Sequence, residues 1–209
     1  MTILSKNNEQ GRSMVEMLGV LAIIGVLSVG GISGYSKAMA KFKLTKAQDQ
    51  ISMLLMNIRT AFATSPNYSG LDVSTAISYN IAPGDMAPTG ASDIKHAFGG
   101  HAYVGACSDG KNACTGTPAG NNQYFYIQLD NLGNEACMSL ASSDWGTDGL
   151  VYMDGTHYSS QKSAFAKVEG GTKTEAKDLP LSITKLGDGD GGKKYCKKGE
   201  YSSLIWVYY

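Results

Sequence analysis

Glu16 stands where an apolar segment begins, and a carboxylate at that position points to a chemical role. The run Met17–Tyr35 has no charged side chain and is about long enough to cross a bilayer. A carboxylate that enters hydrocarbon costs at least ~2.5 kcal/mol, so such a residue usually marks function. Arg12 lies four residues earlier on the same helical face and could pair with Glu16 within one chain. The simpler alternative is a carboxylate stabilised only by the helix macrodipole.

The cysteines are a second set of side chains with defined chemistry: Cys107, Cys114, Cys137 and Cys196. They form no CxxC motif, and with only three histidines in the chain the spacing does not fit a metal site. We therefore predict no metal and no cofactor. In an exported segment, an even cysteine count favours two disulfides. Three pairings are possible; we prefer Cys107–Cys114, around a short Gly/Asp/Asn turn, with Cys137–Cys196 closing a long loop.

No serine or cysteine lies in a recognisable nucleophile motif, so we predict that the protein is not an enzyme. His96, His101 and His157 are scattered near glycine turns, and the first two are interpreted as surface groups at strand ends rather than ligands. The segment 188–192 resembles the start of a calcium loop, but it lacks the glutamate of an EF-hand and favours a flexible loop.

Charge gives little support for nucleic acid as a partner. Lysine plus arginine and aspartate plus glutamate number 18 each. Four lysines surround the last cysteine and could meet DNA or another anionic surface, although a solvated loop is the favoured interpretation: Lys193, Lys194, Lys197 and Lys198. Nucleic-acid binding is therefore possible but unsupported.

The elements that must position these residues begin with a helix. Beyond Tyr35, apolar residues recur at spacings of three and four: Ile51, Leu54, Leu55, Ile58 and Phe62. This pattern predicts an amphipathic helix with one buried face, and residues 65–67 are expected to end it. We predict one long helix from Ser13 to about Thr64, apolar in its first half and packed on a domain in its second half.

The rest of the chain is rich in turn and strand signals. The segment Asn67–Thr89 is interpreted as a turn-rich connection. Strands are predicted in four segments: Ala97–Val104, Tyr124–Leu129, Gly149–Gly155 and Leu204–Tyr209. In the second of these, alternation predicts one apolar face, made by Phe125, Ile127 and Leu129. A short helix is predicted from Asn131 to about Ala141, and 163–168 is ambiguous between helix and strand.

The N-terminal residues resemble the processing signal of type IV pilins. A small polar leader ends in Gly11, and Glu16 follows five residues later, at the offset where that family carries its glutamate. The resemblance implies that prepilin peptidase cleaves between Gly11 and Arg12 and that the new amino terminus is methylated. It also implies that Glu16 pairs with the N-terminal amine of a neighbouring subunit during assembly. Arg12 replaces the large apolar residue usual in the family at this position.

The globular part is similar to the type IVb subgroup, and within it to the bundle-forming pilins. The residues that carry this resemblance are Tyr68–Asp72, Phe98–Gly100, Ala136–Leu140 and Cys196. It implies an α+β fold in which a long N-terminal α-helix packs on an antiparallel β-sheet domain. Expected boundaries are a leader at 1–11, a helix at 12–64 with about 14–35 transmembrane or in the filament core, and a head at 65–209 with a disulfide-bounded loop 137–196.

The resemblance implies the structural subunit of a type IVb-like pilus, or fimbrium, serving adhesion, aggregation, motility or DNA transfer. Alternatives are a minor pilin or tip adhesin, or a type II secretion pseudopilin, which the long cysteine-bounded loop disfavours. Expected partners are identical pilin subunits, prepilin peptidase and the inner-membrane pilus assembly machinery. The expected location is the bacterial inner membrane for the precursor, followed by the extracellular pilus.

Two features of the predicted helix leave alternatives open. Gly30, Gly31 and Gly34 indicate either close approach between helices or a place where the helix melts or bends when subunits pack. Lysines follow the apolar run: Lys37, Lys41, Lys43 and Lys46. The positive-inside rule alone would place that side in the cytoplasm, whereas the cysteines and the pilin signal place it outside.

Overall fold

One long helix and a six-stranded sheet dominate the structure, a computed structural model that describes residues 14–108, 114, 121–146, 148–162, 174–182, 186 and 195–209. The chain divides into two compact units, Met1–Phe42 and Lys43–Tyr209. Gly11 and Arg12 lie outside the described residues, as do the ambiguous segment 163–168, the loop 188–192 and the pair Lys193 and Lys194.

The long helix, α1, runs from Met14 to Ala61, which confirms the prediction of a single N-terminal helix. Its sequence contains no proline, and none of its five glycines interrupts the helix. In the second unit, apolar residues of α1 at helical spacing are buried: Ala47, Ile51, Leu54 and Ile58. The amphipathic pattern of the sequence is therefore satisfied within this unit.

The sheet is antiparallel throughout, in the strand order β1-β2-β3-β6-β4-β5. The strands are β1 Ile94–Lys95, β2 His101–Cys107, β3 Tyr124–Leu132, β4 Leu150–Tyr158, β5 Thr174–Glu175 and β6 Tyr201–Tyr208. The segment Leu204–Tyr208, dense in β-branched and aromatic residues, lies in β6, which is between β3 and β4 and is almost fully buried. A central strand covered on both faces requires such a composition.

One face of the sheet shares a core with the second half of α1. Phe125, Ile127 and Leu129 of β3 lie directly opposite Tyr208, Trp206 and Leu204 of β6. All six side chains are buried in the same cluster as the apolar residues of α1. Because successive strand residues point to opposite faces, this register puts every second residue into the core. The alternation predicted for β3 is confirmed on this face.

The opposite face of the sheet is also covered, which the sequence did not predict. A second cluster contains Tyr126, Tyr152, Ile205 and Val207 together with the Cys107–Cys114 disulfide. Gln128, which alternates with Ile127 and Leu129 and therefore lies on this face, is fully buried. Alternation in a sequence identifies the two faces of a strand, but it does not determine whether the more polar face meets solvent.

The helices beyond α1 differ in detail from the prediction. Helix α2, Val73–Ser78, occupies part of the expected turn-rich connection. Asp72 caps it by accepting a hydrogen bond from the Thr75 backbone N–H at 2.7 Å, and this bond lowers the pKa of Asp72 despite partial burial. Helix α3, Asn134–Ala141, begins three residues later than predicted because residues 131 and 132 belong to β3.

Candidate functional site

Glu16 lies in the first turn of α1 and is exposed. Acidic side chains are favoured at this end of a helix by the unsatisfied backbone N–H groups and the macrodipole. Within the described part of the chain, no ion pair involves Glu16. Its proposed partner Arg12 lies outside that part, so the intrahelical pair stays a prediction. Glu16 is thus a carboxylate presented beside an apolar surface.

The first unit exposes the apolar surface of α1 on all sides. Thirteen large apolar side chains between Met14 and Tyr35 are exposed, from Met14 at 85% to Met17 at 47%. By length and composition α1 can cross a membrane, and none of its most apolar 18-residue window is buried. Soluble proteins rarely expose a continuous apolar surface of this size, so the segment requires lipid or other protein around it.

The glycines of the first unit have open space around them. A Cβ atom built on Gly30, Gly31 or Gly34 meets nothing within 4 Å outside the local helix backbone. The single chain therefore gives these residues no packing role of their own. Both interpretations from the sequence, close approach of a second helix and local melting on assembly, stay open.

In the second unit, buried polar contacts fix α1 on the head in addition to its apolar face. The Gln50 side chain donates to Asp85 at 2.7 Å and accepts from the Ala97 N–H at 2.9 Å. Partial burial raises the pKa of Asp85, but hydrogen bonds from Gln50 and Lys46 outweigh it and hold the pKa below its usual value. Sequence reasoning missed Gln50, although it lies beside the apolar positions on the buried stripe of the helix.

Arg59 makes a further connection near the end of α1. Its guanidinium donates to the carbonyl oxygen of Asp148 at 3.0 Å and lies 5.8 Å from the centre of the Tyr208 ring. The helix end is thus attached to both the central strand β6 and the turn before β4. A cation over an aromatic face contributes about 0.5–1 kcal/mol at an exposed site.

Two disulfides join the four cysteines in the pairing preferred from the sequence. Cys137 of α3 is bonded to Cys196, with Cα atoms 5.8 Å apart, and both belong to the core shared with α1. Cys107 at the end of β2 is bonded to Cys114, with Cα atoms 5.3 Å apart, on the opposite face of the sheet. The first closes a loop of 59 residues and the second a loop of only seven.

The prediction that His96 is a surface group is wrong, since only 3% of the residue is exposed. Its Nε2 donates to the Asp130 carbonyl oxygen at 2.8 Å, and its Nδ1 accepts from the Phe98 N–H at 3.2 Å. These bonds describe a neutral ring, and burial lowers the pKa of His96 to about 4. Gly100 completes the site because a Cβ there would collide with the Asp130 carbonyl oxygen.

The other two histidines occupy strand ends. His101 begins β2, and its Nε2 lies 3.1 Å from Asp93. The Asp130 carboxylate accepts from the His101 backbone N–H at 2.7 Å, while burial raises the pKa of that carboxyl. His157, near the end of β4, has its Nε2 3.7 Å from Glu200. Within the described residues, no group of three or more ligating side chains could hold a metal ion.

Comparison with known proteins identifies a family for this chain. The model of the family described as PilS N terminal matches residues 42–176. The major structural subunit of the bundle-forming pilus of Escherichia coli O111:H- is 29% identical over 163 residues, 77% of each chain. Toxin coregulated pilin of Vibrio cholerae is 24% identical over 140 residues, 66% of this chain and 59% of that protein.

A solved structure is also similar. The crystal structure of TcpA, a type IV pilin from Vibrio cholerae El Tor biotype, aligns with a TM-score of 0.45 and 14% identity. The alignment covers 80% of this chain and 99% of the other.

Proposed function

This chain belongs to the family described as PilS N terminal, and from that premise we propose that it is the repeating structural subunit of a type IVb-like pilus. Its relatives in two Escherichia coli strains are named major structural subunits of the bundle-forming pilus, and the alignments cover 77% and 72% of this chain. A polymer subunit needs a stable head and a surface that only neighbours can cover.

The exposed apolar helix of the first unit is the single observation that carries this proposal. Apolar surface is stabilised by about 25 cal/mol for each Å² removed from water, so thirteen exposed large side chains make an isolated subunit unfavourable in water. A bilayer can cover this surface before assembly, and the same helices of other subunits can cover it afterwards. The two environments make one segment both an anchor and a polymerisation element.

Proteolytic removal of a leader would prepare the membrane-anchored subunit for assembly into a filament. We place a leader at 1–11, the helix at 12–64 and the head at 65–209, with prepilin peptidase cleaving between Gly11 and Arg12. The precursor would lie in the bacterial inner membrane, and the assembly machinery there would move mature subunits into an extracellular pilus. Methylation would modify the new N-terminal α-amino group, which belongs to Arg12.

Glu16 would then select and orient the incoming subunit. An unpaired charge in an apolar medium is costly, and pairing with the N-terminal amine of a neighbour removes much of that cost. The position of Glu16 in the first turn of α1, with no partner among the described residues, supports this assignment. The protein would act as a structural polymer and not as an enzyme.

The test is mass spectrometry of filaments sheared from cells that express the chain. We expect this chain to dominate the preparation and to begin at Arg12. Replacement of Gly11 should leave an unprocessed, membrane-bound precursor and no filaments, with replacement of Gly19 as a control inside the helix. Normal mature protein from the Gly11 variant would refute the cleavage site, and a trace of this chain among other pilins would favour a minor pilin instead.

A further inference from the structure

The segment Tyr35–Phe42, here called the interfacial segment, contains Lys37 and Lys41 where the apolar run of α1 ends. We propose that these two lysines bind the headgroups of anionic phospholipids while the subunit is anchored in a bilayer. The inference rests on the proposed function for the anchored state and goes beyond it by naming a lipid class as partner.

Helix geometry places both lysines at headgroup depth. Lys37 follows Glu16 by 21 residues, which at 1.5 Å per residue is about 31 Å along the axis. The hydrocarbon core of a bilayer is about 30 Å thick, with about 5–8 Å of headgroup region on each side. With Glu16 at one boundary, Lys37 lies at the other, and Lys41 lies about 6 Å further out. Both ammonium groups therefore fall in the layer that contains lipid phosphates.

The charged side chains near the two lysines in the sequence are all positive. No acidic residue occurs between Glu16 and Asp49, so residues 17–48 carry only positive charge. Lys37 and Lys41 are both exposed, and no ion pair within the described part of the chain involves either of them. Lys46 differs, because its Nζ lies 3.3 Å from Asp85. An uncompensated pair of ammonium groups complements an anionic surface.

Two aromatic residues bound the same segment. Tyr35 and Phe42 are 68% and 61% exposed and lie seven residues apart, on one side of the helix. Lys37 and Lys41, four residues apart, share another side. Tyrosine, with its amphipathic ring, is enriched at membrane–water interfaces, and lysine can extend its charge outward along an apolar stem. Tyr35 lies only about 3 Å before Lys37 along the axis, so an aromatic anchor and a cationic anchor fall at similar depth.

This binding accounts for the conflict with the positive-inside rule. Lysines beyond an apolar helix favour the cytoplasmic side, whereas the disulfides favour an oxidising compartment outside it. Anionic lipid in the outer leaflet of the inner membrane would lower the free energy of the lysines on that side.

The test uses the full chain reconstituted into phosphatidylcholine bilayers that contain traces of spin-labelled lipid. Electron paramagnetic resonance measures the association of labelled phosphatidylglycerol relative to labelled phosphatidylcholine. The wild type should prefer phosphatidylglycerol about fivefold, and the variant Lys37→Gln/Lys41→Gln should lose most of that preference. Lys37→Arg/Lys41→Arg should keep it, and 1 M salt should abolish it by screening. Lys46→Gln, at about 14 Å beyond Lys37 on the same helix, is the matched control and should behave as wild type.

Equal lipid preference in the wild type and the double glutamine variant would overturn the inference. An equal loss in Lys46→Gln would also overturn it, because depth would then not matter. Filament yield, measured separately, distinguishes this result from failure of the proposed function. Loss of filaments with unchanged lipid preference in the double glutamine variant would assign the lysines to a neighbouring subunit, and lipid preference without any filaments in the wild type would refute only the pilus.

Discussion

The two halves of α1 have the same secondary structure but opposite surroundings. In the first unit, Leu21 is 61% exposed and no part of the most apolar window is buried. In the second unit, Ile51, Leu54 and Ile58 are fully buried against the sheet. Each of these three contributes about 1.5–3 kcal/mol by leaving water. Apolar side chains thus stabilise the folded monomer in the second half of α1, whereas in the first half they remain exposed.

Because of this difference, substitutions in the two halves of α1 should affect different properties of the protein. Changes in the second half of α1 should act on the free energy of unfolding of the head, whereas changes in the first half should act on insertion and assembly. Trp145 and Trp206, the two tryptophans of the chain, have ring centres 5.1 Å apart in the head and provide a fluorescence signal for its unfolding. Filament yield reports on the other half.

Glu16→Ala should produce the largest effect and only on assembly. The variant should be cleaved and inserted but should give less than about a tenth of wild-type filaments, since pairing energies of charges in a low dielectric are several kcal/mol. Sheared filaments are quantified against total mature subunit, and the tryptophan-monitored stability of the head should not change.

Arg12→Phe is the companion variant for Glu16. It restores a large apolar first residue and removes the competing intrachain cation, so its effect on filament yield should be much smaller. Arginine can extend its charge to the aqueous interface, whereas the shorter Glu16 side chain cannot. Wild-type filament yield from Glu16→Ala would remove the proposed role of the carboxylate, whatever Arg12→Phe does.

Loss of the long disulfide should give the largest change in head stability. Replacing both Cys137 and Cys196 with serine should lower the free energy of unfolding by about 4 kcal/mol, because the bond closes a 59-residue loop. The Cys107→Ser/Cys114→Ser variant opens a loop of only seven residues. Its free energy of unfolding should fall by about 2.5 kcal/mol. Denaturant unfolding in detergent measures both. A larger loss from the short loop, or a Cys107–Cys137 peptide in non-reducing mapping, would contradict this assignment.

Matched leucine truncations test the two halves of α1 directly. Leu54→Ala should destabilise the head by about 3 kcal/mol, since the removed side chain is fully buried and leaves a cavity. Leu21→Ala makes the same chemical change on the same helix and should leave head stability unchanged. Equal destabilisation by the two variants would show that the first half also supports the folded head.

The smallest expected effect is a pH dependence confined to the head. Burial lowers the pKa of His96 to about 4 from 6.5, so the unfolded chain binds the proton more tightly. Stability from this group is therefore complete above pH 6.5 and is lost as the pH falls toward 4, by about 2 kcal/mol at pH 5. The raised pKa of Asp130 acts in the opposite direction at lower pH. Urea unfolding at pH 7.5 and pH 5 measures this effect. The free energy of unfolding should change less between the two pH values in His96→Gln than in the wild type. An equal change in both proteins would contradict the role given to His96.

The sequence predicts those elements whose determinants are local. The spacing of Ile51, Leu54 and Ile58 is a helical property, and the β-branched and aromatic content of β6 is a strand property. The preference for one disulfide pairing among three also rests on local spacing, since Cys107 and Cys114 flank a short turn. These features need no knowledge of what lies across the sheet.

Features decided by distant contacts were not predictable. His96 can be buried because the Asp130 carbonyl oxygen, on β3, accepts a hydrogen bond from its ring nitrogen. Gln128 is likewise fully buried, although its polarity favours exposure to solvent. Helix α2 is different, since Asp72 followed three residues later by Thr75 is a local capping signal that the turn-rich interpretation overlooked.

The position of β6 has a consequence for the order in which the head can fold. Without β6, the strand order separates into β1-β2-β3 and β4-β5, two fragments whose inner edges have no neighbour. Pairings of such long sequence separation form slowly, and open edges can pair with other chains in the meantime. Because the chain is made from its N-terminus, residues 201–208 are the last strand to become available. Both inner edges stay unpaired until then. Newly synthesised copies therefore need to be kept apart, or their strand edges shielded, until the last strand enters the sheet.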